Sequence, residues 1–241
     1  MIPTPTRAET PQSKTGKKRA RANLVLSEEE MTPFPIEECR GVLAAEELDR
    51  REVTGFWLKH EYHVDVNVGQ QIPVSCDCCV GRSGPMVKQP RRVFLFLAGG
   101  GYVTGYPLVH PFIFSLLRSL APSPASHPTS DCYDHVHSLP QYAVLAPHVR
   151  KSLSLDRAFP IPLLDALAGY AHLRNIGYAA EEVVVIGDSA GGGLAWSLVA
   201  YLAALDGELG AKEGGLGVPG GLAMISVSWI RLIALREKKH G

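Results

Sequence analysis

Residues 183–193 read Val-Val-Val-Ile-Gly-Asp-Ser-Ala-Gly-Gly-Gly, and the fold class hangs on them. Val183–Ile186 is a β-branched run, the pattern of a strand buried on both faces. From Ala190 to about Leu205 the residues are apolar over a length that suits a helix. Gly187-Asp188-Ser189-Ala190-Gly191 therefore falls on a strand-to-helix turn and fits G-x-S-x-G. So sharp a turn strains the serine backbone and brings strand and helix into contact, where flanking side chains would collide. Glycine at 187 and 191 answers that constraint. The Ser189 hydroxyl is then expected above the carboxyl edge of the sheet, where open α/β sheets bind ligands.

Working outward, strands and helices alternate. Arg92–Leu97 reads as a buried strand, 111–120 as a helix, Tyr142–Leu145 as a strand, 162–175 as a helix and Leu222–Val227 as a last strand. His63–Val68 and Ile72–Cys76 read as weaker strands. Ser27 and Glu30 have capping-box spacing, and 36–58 reads as helical from apolar residues near a 3.6 period. Alternation of this kind predicts an α/β fold with a mostly parallel sheet of about six strands, flanked by helices. Ala98-Gly99-Gly100-Gly101-Tyr102 directly follows the buried strand. Consecutive glycines let backbone N–H groups turn toward a ligand, and with the Ala190 amide they would hold an oxyanion. A phosphate cradle is the other use of such a turn, but neither the P-loop lysine nor the dinucleotide spacing is present.

These residues, in this order, resemble the hormone-sensitive-lipase group of α/β-hydrolases, and within it the fungal steryl acetyl hydrolase-like esterases. The resemblance runs from about 60 to 228. It rests on Gly99-Gly100-Gly101-Tyr102-Val103, Leu145-Ala146-Pro147, Phe159-Pro160 with Leu164 to Tyr170, and Gly187 to Gly192. It implies an α/β-hydrolase fold and hydrolysis of acyl or acetyl esters, lipid and sterol esters among them. It further implies Ser189 as nucleophile, an oxyanion hole from the amides of Gly99, Gly100 and Ala190, and an elbow of Gly187, Asp188 and Gly191. The implied organisation is a disordered basic tail at 1–25, a helical cap-like segment at 26–59, an incomplete hydrolase core at 60–229 and a non-homologous tail at 230–241. Three features depart from the family. Ala98 stands where a histidine usually precedes the glycines, Tyr142 falls one position early, and 121–140 is longer than expected.

The triad of this fold runs serine, acid, histidine in chain order. Downstream of Ser189 the candidate acids are Asp206, Glu208, Glu213 and Glu237, and the candidate base is His240. None has the family position, so acid and base stay unassigned. The expectation is a design lacking its last two strands, with 222–227 left as an apolar sheet edge. Two readings follow: an ester hydrolase working through an acyl-Ser189 intermediate, or a non-catalytic hydrolase-like binding protein or inert fragment.

Composition narrows the field. The 241 residues include 24 basic and 24 acidic side chains and are 46% hydrophobic, a globular composition without net charge. Binding nucleic acid through bulk charge is thereby excluded. No apolar run reaches the roughly 18–20 residues of a membrane span. The N-terminus lacks the order of a secretory signal, and five cysteines at irregular spacing form no disulfide scaffold. A reducing, cytoplasmic setting is the default expectation. Cys76, Cys78 and Cys79 lack a second ligand pair, and Asp131, Asp134, His135 and His137 read as a polar loop, so no metal or other cofactor is expected. The partner expected is a small-molecule ester. Asp165, one turn into its helix, reads as a carboxylate favouring the helix N-terminus, and His110 and His148 flank loops at the sheet edge.

Overall fold

Runs that are apolar without interruption become the middle of a single sheet. The computed structural model of the protein describes residues 24–60, 91–109, 111–120, 141–209 and 215–226. Its strands are β1 (Leu24–Met31), β2 (Val53–His60), β3 (Arg91–Leu97), β4 (Gln141–Pro147), β5 (Val183–Asp188) and β6 (Gly221–Ile225). They lie in the order β1-β2-β4-β3-β5-β6. β4, β3, β5 and β6 run parallel, whereas β2 is antiparallel to β4 and β1 antiparallel to β2. Two antiparallel strands thus extend a parallel centre. Among the described residues β6 is the last strand on its side.

Helices cover both faces, which is why the central strands lack polar alternation. Val93, Leu95 and Leu97 share one core with α2 (Ile161–Asn175) and α3 (Ala190–Leu209). Phe96, Val144 and Ile186 share the other with Ile113 of α1 (Pro111–Leu120). Each fully buried side chain of this size contributes about 1.5–3 kcal/mol. Of the 15 residues of α2, 12 are buried, so it is a core helix without a polar stripe. Tyr170 and Arg174 at its far end bind the carbonyls of Gly217 and Leu216, at 2.8 and 2.7 Å, and so hold the approach to β6.

The segment 26–59 is not helical, contrary to expectation. It contains most of β1 and β2, joined through two short 3-10 turns at Ile36–Glu38 and Gly41–Ala44. Ser27 lies opposite Trp57 and Glu30 opposite Thr54, so the apparent capping box is two outward positions of a strand. The Thr54 hydroxyl donates to Glu30 at 2.9 Å, and the Trp57 indole donates to Glu29. The helical reading fails because β2 is buried on both faces. Val53 and Trp57 enter one core and Phe56 and Leu58 the other, which erases the period-2 signal that marks a half-buried strand. The strands expected at 63–68 and 72–76, the tail at 230–241 and nearly all of the basic tail lie outside the described residues. So do Cys76, Cys78, Cys79, His110, Asp131, Asp134, His135, His137, Glu213, Glu237 and His240.

Candidate active site

The turn after β5 is built as its residues require. Gly187 pairs with Leu97 of β3, and Asp188 with Ile225 of β6. The chain leaves the sheet at Ser189, whose φ of +51° lies in the left-handed region. A non-glycine residue there costs of order 1–3 kcal/mol and persists only when its surroundings over-determine it. Here the Ser189 amide donates to the Ile225 carbonyl at 2.8 Å, and the Ser189 carbonyl accepts from Gly192 at 3.0 Å to open α3. A methyl group on Gly187 would overlap the Gly191 carbonyl, and one on Gly191 the Leu97 carbonyl. Ser189 itself is half-buried.

The glycine loop after β3 lies against this turn. A side-chain carbon on Gly99 would sit 2.6 Å from the Asp188 carbonyl oxygen and 3.2 Å from the Ser189 Cβ. Gly105 folds back onto the Gly99 carbonyl, closely enough to leave no room for a side chain. The loop is closed by the Gly100 carbonyl, which accepts from the amides of Val103 (3.1 Å) and Thr104 (2.9 Å) and from the Thr104 hydroxyl (3.0 Å). Tyr102, at φ +63°, extends its phenol to within 3.3 Å of the place a Gly193 Cβ would take. Its partly buried hydroxyl is pushed above the ordinary phenol range by desolvation. Loop and helix start are thereby joined. The first amides of α3, Ala190 among them, belong to the helix end that lacks intrahelical acceptors and carries partial positive charge.

The segment after β4 forms the next wall. Asp165 is fully buried, and its carboxylate answers the Arg150 guanidinium, where the sequence offered only the favourable field of the helix N-terminus. It accepts from the Arg150 amide at 2.7 Å and from Arg150 Nε at 2.9 and 3.0 Å. Arg150 also binds the carbonyl of Asp49 at 2.8 Å and its carboxylate at 3.2 Å. The reason is depth: α2 is sunk in the core, so an acid on it needs a cation, and the strand-end loop supplies one. Burial pushes the Asp165 carboxyl up, while Arg150 opposes the rise. Ser152 donates its amide to the Tyr102 carbonyl at 2.7 Å, so this segment braces the glycine loop.

His148 stands at the carboxyl end of β4, an interior strand. Its ring meets Tyr106 edge-on at 5.0 Å, and Tyr106 meets Phe56 at 5.3 Å. Partial desolvation among these rings, and secondarily the Lys151 charge, holds His148 below its ordinary range, with Asp165 acting the other way.

Ser189, Gly99 and the elbow residues Gly187, Asp188 and Gly191 are thus brought together at one edge, with Gly100 and Ala190 adjoining in sequence. Asp206 and Glu208 are not brought there. They lie on α3, 16 and 18 residues beyond Ala190, roughly 24–27 Å down its axis at 1.5 Å per residue. Neither can be the triad acid. The roles of Tyr102, Gly105, Arg150 and Tyr106 were not read from the sequence. Gly105 was the nearest to legible, as a further glycine soon after the triplet. Among the described residues no three His, Cys, Asp or Glu side chains gather as metal ligands, and no helix is long and apolar enough to cross a membrane.

No family model matches the chain. An acetyl-hydrolase from Streptomyces hygroscopicus is 32% identical over 139 residues, 58% of this chain and 36% of that protein. Esterase LipU from Mycobacterium tuberculosis is 32% identical over 112 residues, 46% of this chain and 31% of that protein. The matched stretches thus span about a third of each curated relative. Solved structures that resemble it include an esterase from the bacterial hormone-sensitive lipase family, at 22% identity and a TM-score of 0.45, over 84% of this chain and 44% of that one. A structure of fungal esterases from Rhizomucor miehei resembles it at 16% identity and a TM-score of 0.48, over 86% and 46%. Over 58% and 46% of its length the chain is thus similar to an acetyl-hydrolase and an esterase, and its own structure joins a parallel sheet centre, a left-handed serine between two glycines and a glycine loop set against that serine.

Proposed function

We propose that the chain carries the nucleophile half of a carboxylic-ester hydrolase. The Ser189 hydroxyl attacks the ester carbonyl, and the oxygen that becomes negative is met by the amides of Gly99, Gly100 and Ala190. The alcohol leaves, and water hydrolyses the acyl-Ser189 intermediate. Preorganised amides of this kind are worth roughly 10²–10³ in rate for each donor. The substrate class is an acyl or acetyl ester, in keeping with the names of the two sequence relatives. No acid or base is assigned.

One observation carries this reading: the strained Ser189 backbone, set on the turn that faces the Gly99 loop. A binding protein has no need of such strain. The experiment is reaction of the full chain with a fluorophosphonate probe, read by mass spectrometry. The expected result is a single adduct on Ser189 that vanishes in Ser189→Ala. If the folded chain takes up no probe, the hydrolase reading is wrong and a non-catalytic binding role replaces it.

A further inference from the structure

The first turn of α3 carries glycine at 191, 192 and 193. Gly191 is required by the Leu97 carbonyl. Gly193 is a different case. Glycine weakens a helix relative to alanine, so one in a helix asks for a packing reason. Gly207, on the same helix, has open space where its side chain would be. A Cβ on Gly193 would instead lie 3.3 Å from the Tyr102 phenol oxygen, tight enough that the phenol would have to give way.

Tyr102 is held from several sides. It stands at φ +63°, after Gly100 at +124° and Gly101 at +62°. A tyrosine in the left-handed region is strained and persists only where its surroundings over-determine it. Its carbonyl accepts from the Ser152 amide at 2.7 Å, and its side chain packs against the core that β3, α2 and α3 share. Three residues earlier, Gly99 lies against the serine turn, the place of its missing Cβ 3.2 Å from the Ser189 Cβ. The glycine loop is thus seated on α3 at one end and on Ser189 at the other.

We propose that Tyr102 is a positioning residue: its phenol rests on Gly193 and so sets the height of the Gly99 and Gly100 amides over Ser189, and residue 193 is glycine to admit it. What those amides do there rests on the hydrolase reading above; the seating does not. Oxyanion donors act at roughly 2.7–3.1 Å, and a misplacement of about 1 Å can cost ~10²-fold in rate.

The test takes the full-length, isotope-labelled chain and reads two quantities: the NMR amide signals of Gly99 and Gly100, and the rate of fluorophosphonate labelling. Gly193→Ala presses a methyl on the phenol oxygen; both amide signals should move and labelling should slow about tenfold or more. Gly193→Ala/Tyr102→Phe removes the oxygen that the methyl meets, and both readouts should return. Gly207→Ala makes the same change in open space and should move neither. The proposal is overturned if Gly193→Ala leaves the amide signals in place, if it labels at the wild-type rate, or if the added Tyr102→Phe restores nothing. If Gly193→Ala does not fold, the double variant decides: native amide positions support the contact, and their loss overturns it. A wild-type chain that takes up no probe defeats the hydrolase reading, and the amide signals still decide this one.

Discussion

Replacing either partner of the Arg150–Asp165 pair should be far more damaging than replacing both. In Asp165→Leu, Arg150 loses its carboxylate but keeps the Asp49 carbonyl and carboxylate. That loss should fall near the lower end of the range for breaking a buried pair, ~3 kcal/mol. Arg150→Met strands a fully buried carboxylate with no other cation in contact among the described residues, and should cost ~4–5 kcal/mol at pH 7.5. Arg150→Met/Asp165→Leu leaves no charge to bury, and well-packed apolar replacements of buried pairs are often close to neutral. The two positions are therefore coupled by at least ~3 kcal/mol. Urea unfolding followed by the fluorescence of the buried Trp57 measures each term.

The pH dependence separates this account from mere packing. Burial already raises Asp165 above the ordinary 3.8, and Arg150 restrains the rise. Removing Arg150 lifts the folded carboxyl further. A carboxyl whose folded value exceeds its unfolded value binds more protons in the folded state, so stability falls as pH rises from about 3.8 through the folded value. Arg150→Met should thus lose more stability at pH 7.5 than at pH 5, and Arg150→Met/Asp165→Leu should not show that difference. Additivity of the two substitutions within ~0.5 kcal/mol would refute the argument.

The other predictions concern the site. Gly187→Ala sets a methyl on the Gly191 carbonyl; the turn cannot close, and the variant should lose more than ~3 kcal/mol or fail to accumulate as soluble protein. Gly105→Ala meets the Gly99 carbonyl from a residue at φ +88°; it should keep its circular dichroism spectrum yet label with fluorophosphonate at least ~10²-fold more slowly. In an NMR titration His148 should titrate below 6.5 and move upward in Lys151→Met, because the lysine charge is one of the two influences that lower it.

Much of the fold was legible because it depends on neighbours in sequence. Glycines flanking Ser189 mark a close approach between adjacent elements, and the apolar runs of β3, β4 and β5 mark burial on both faces. What was misread is β2, where Gly55-Phe56-Trp57-Leu58 feeds two cores at once and shows no alternation. The partner of Asp165 was missed for a related reason. A carboxylate near a helix start has an adequate local explanation, and nothing nearby in sequence announces that the whole helix is buried.

By itself the sequence determined a parallel α/β centre and a strained serine at the end of one of its strands, since both follow from residues within a few positions of one another. Only the tertiary structure decided that Gly99 lies against Ser189 and that Arg150 answers Asp165. Those contacts join segments far apart along the chain, and sheet register and depth of burial, which set them, are properties of the packed fold and of no single stretch.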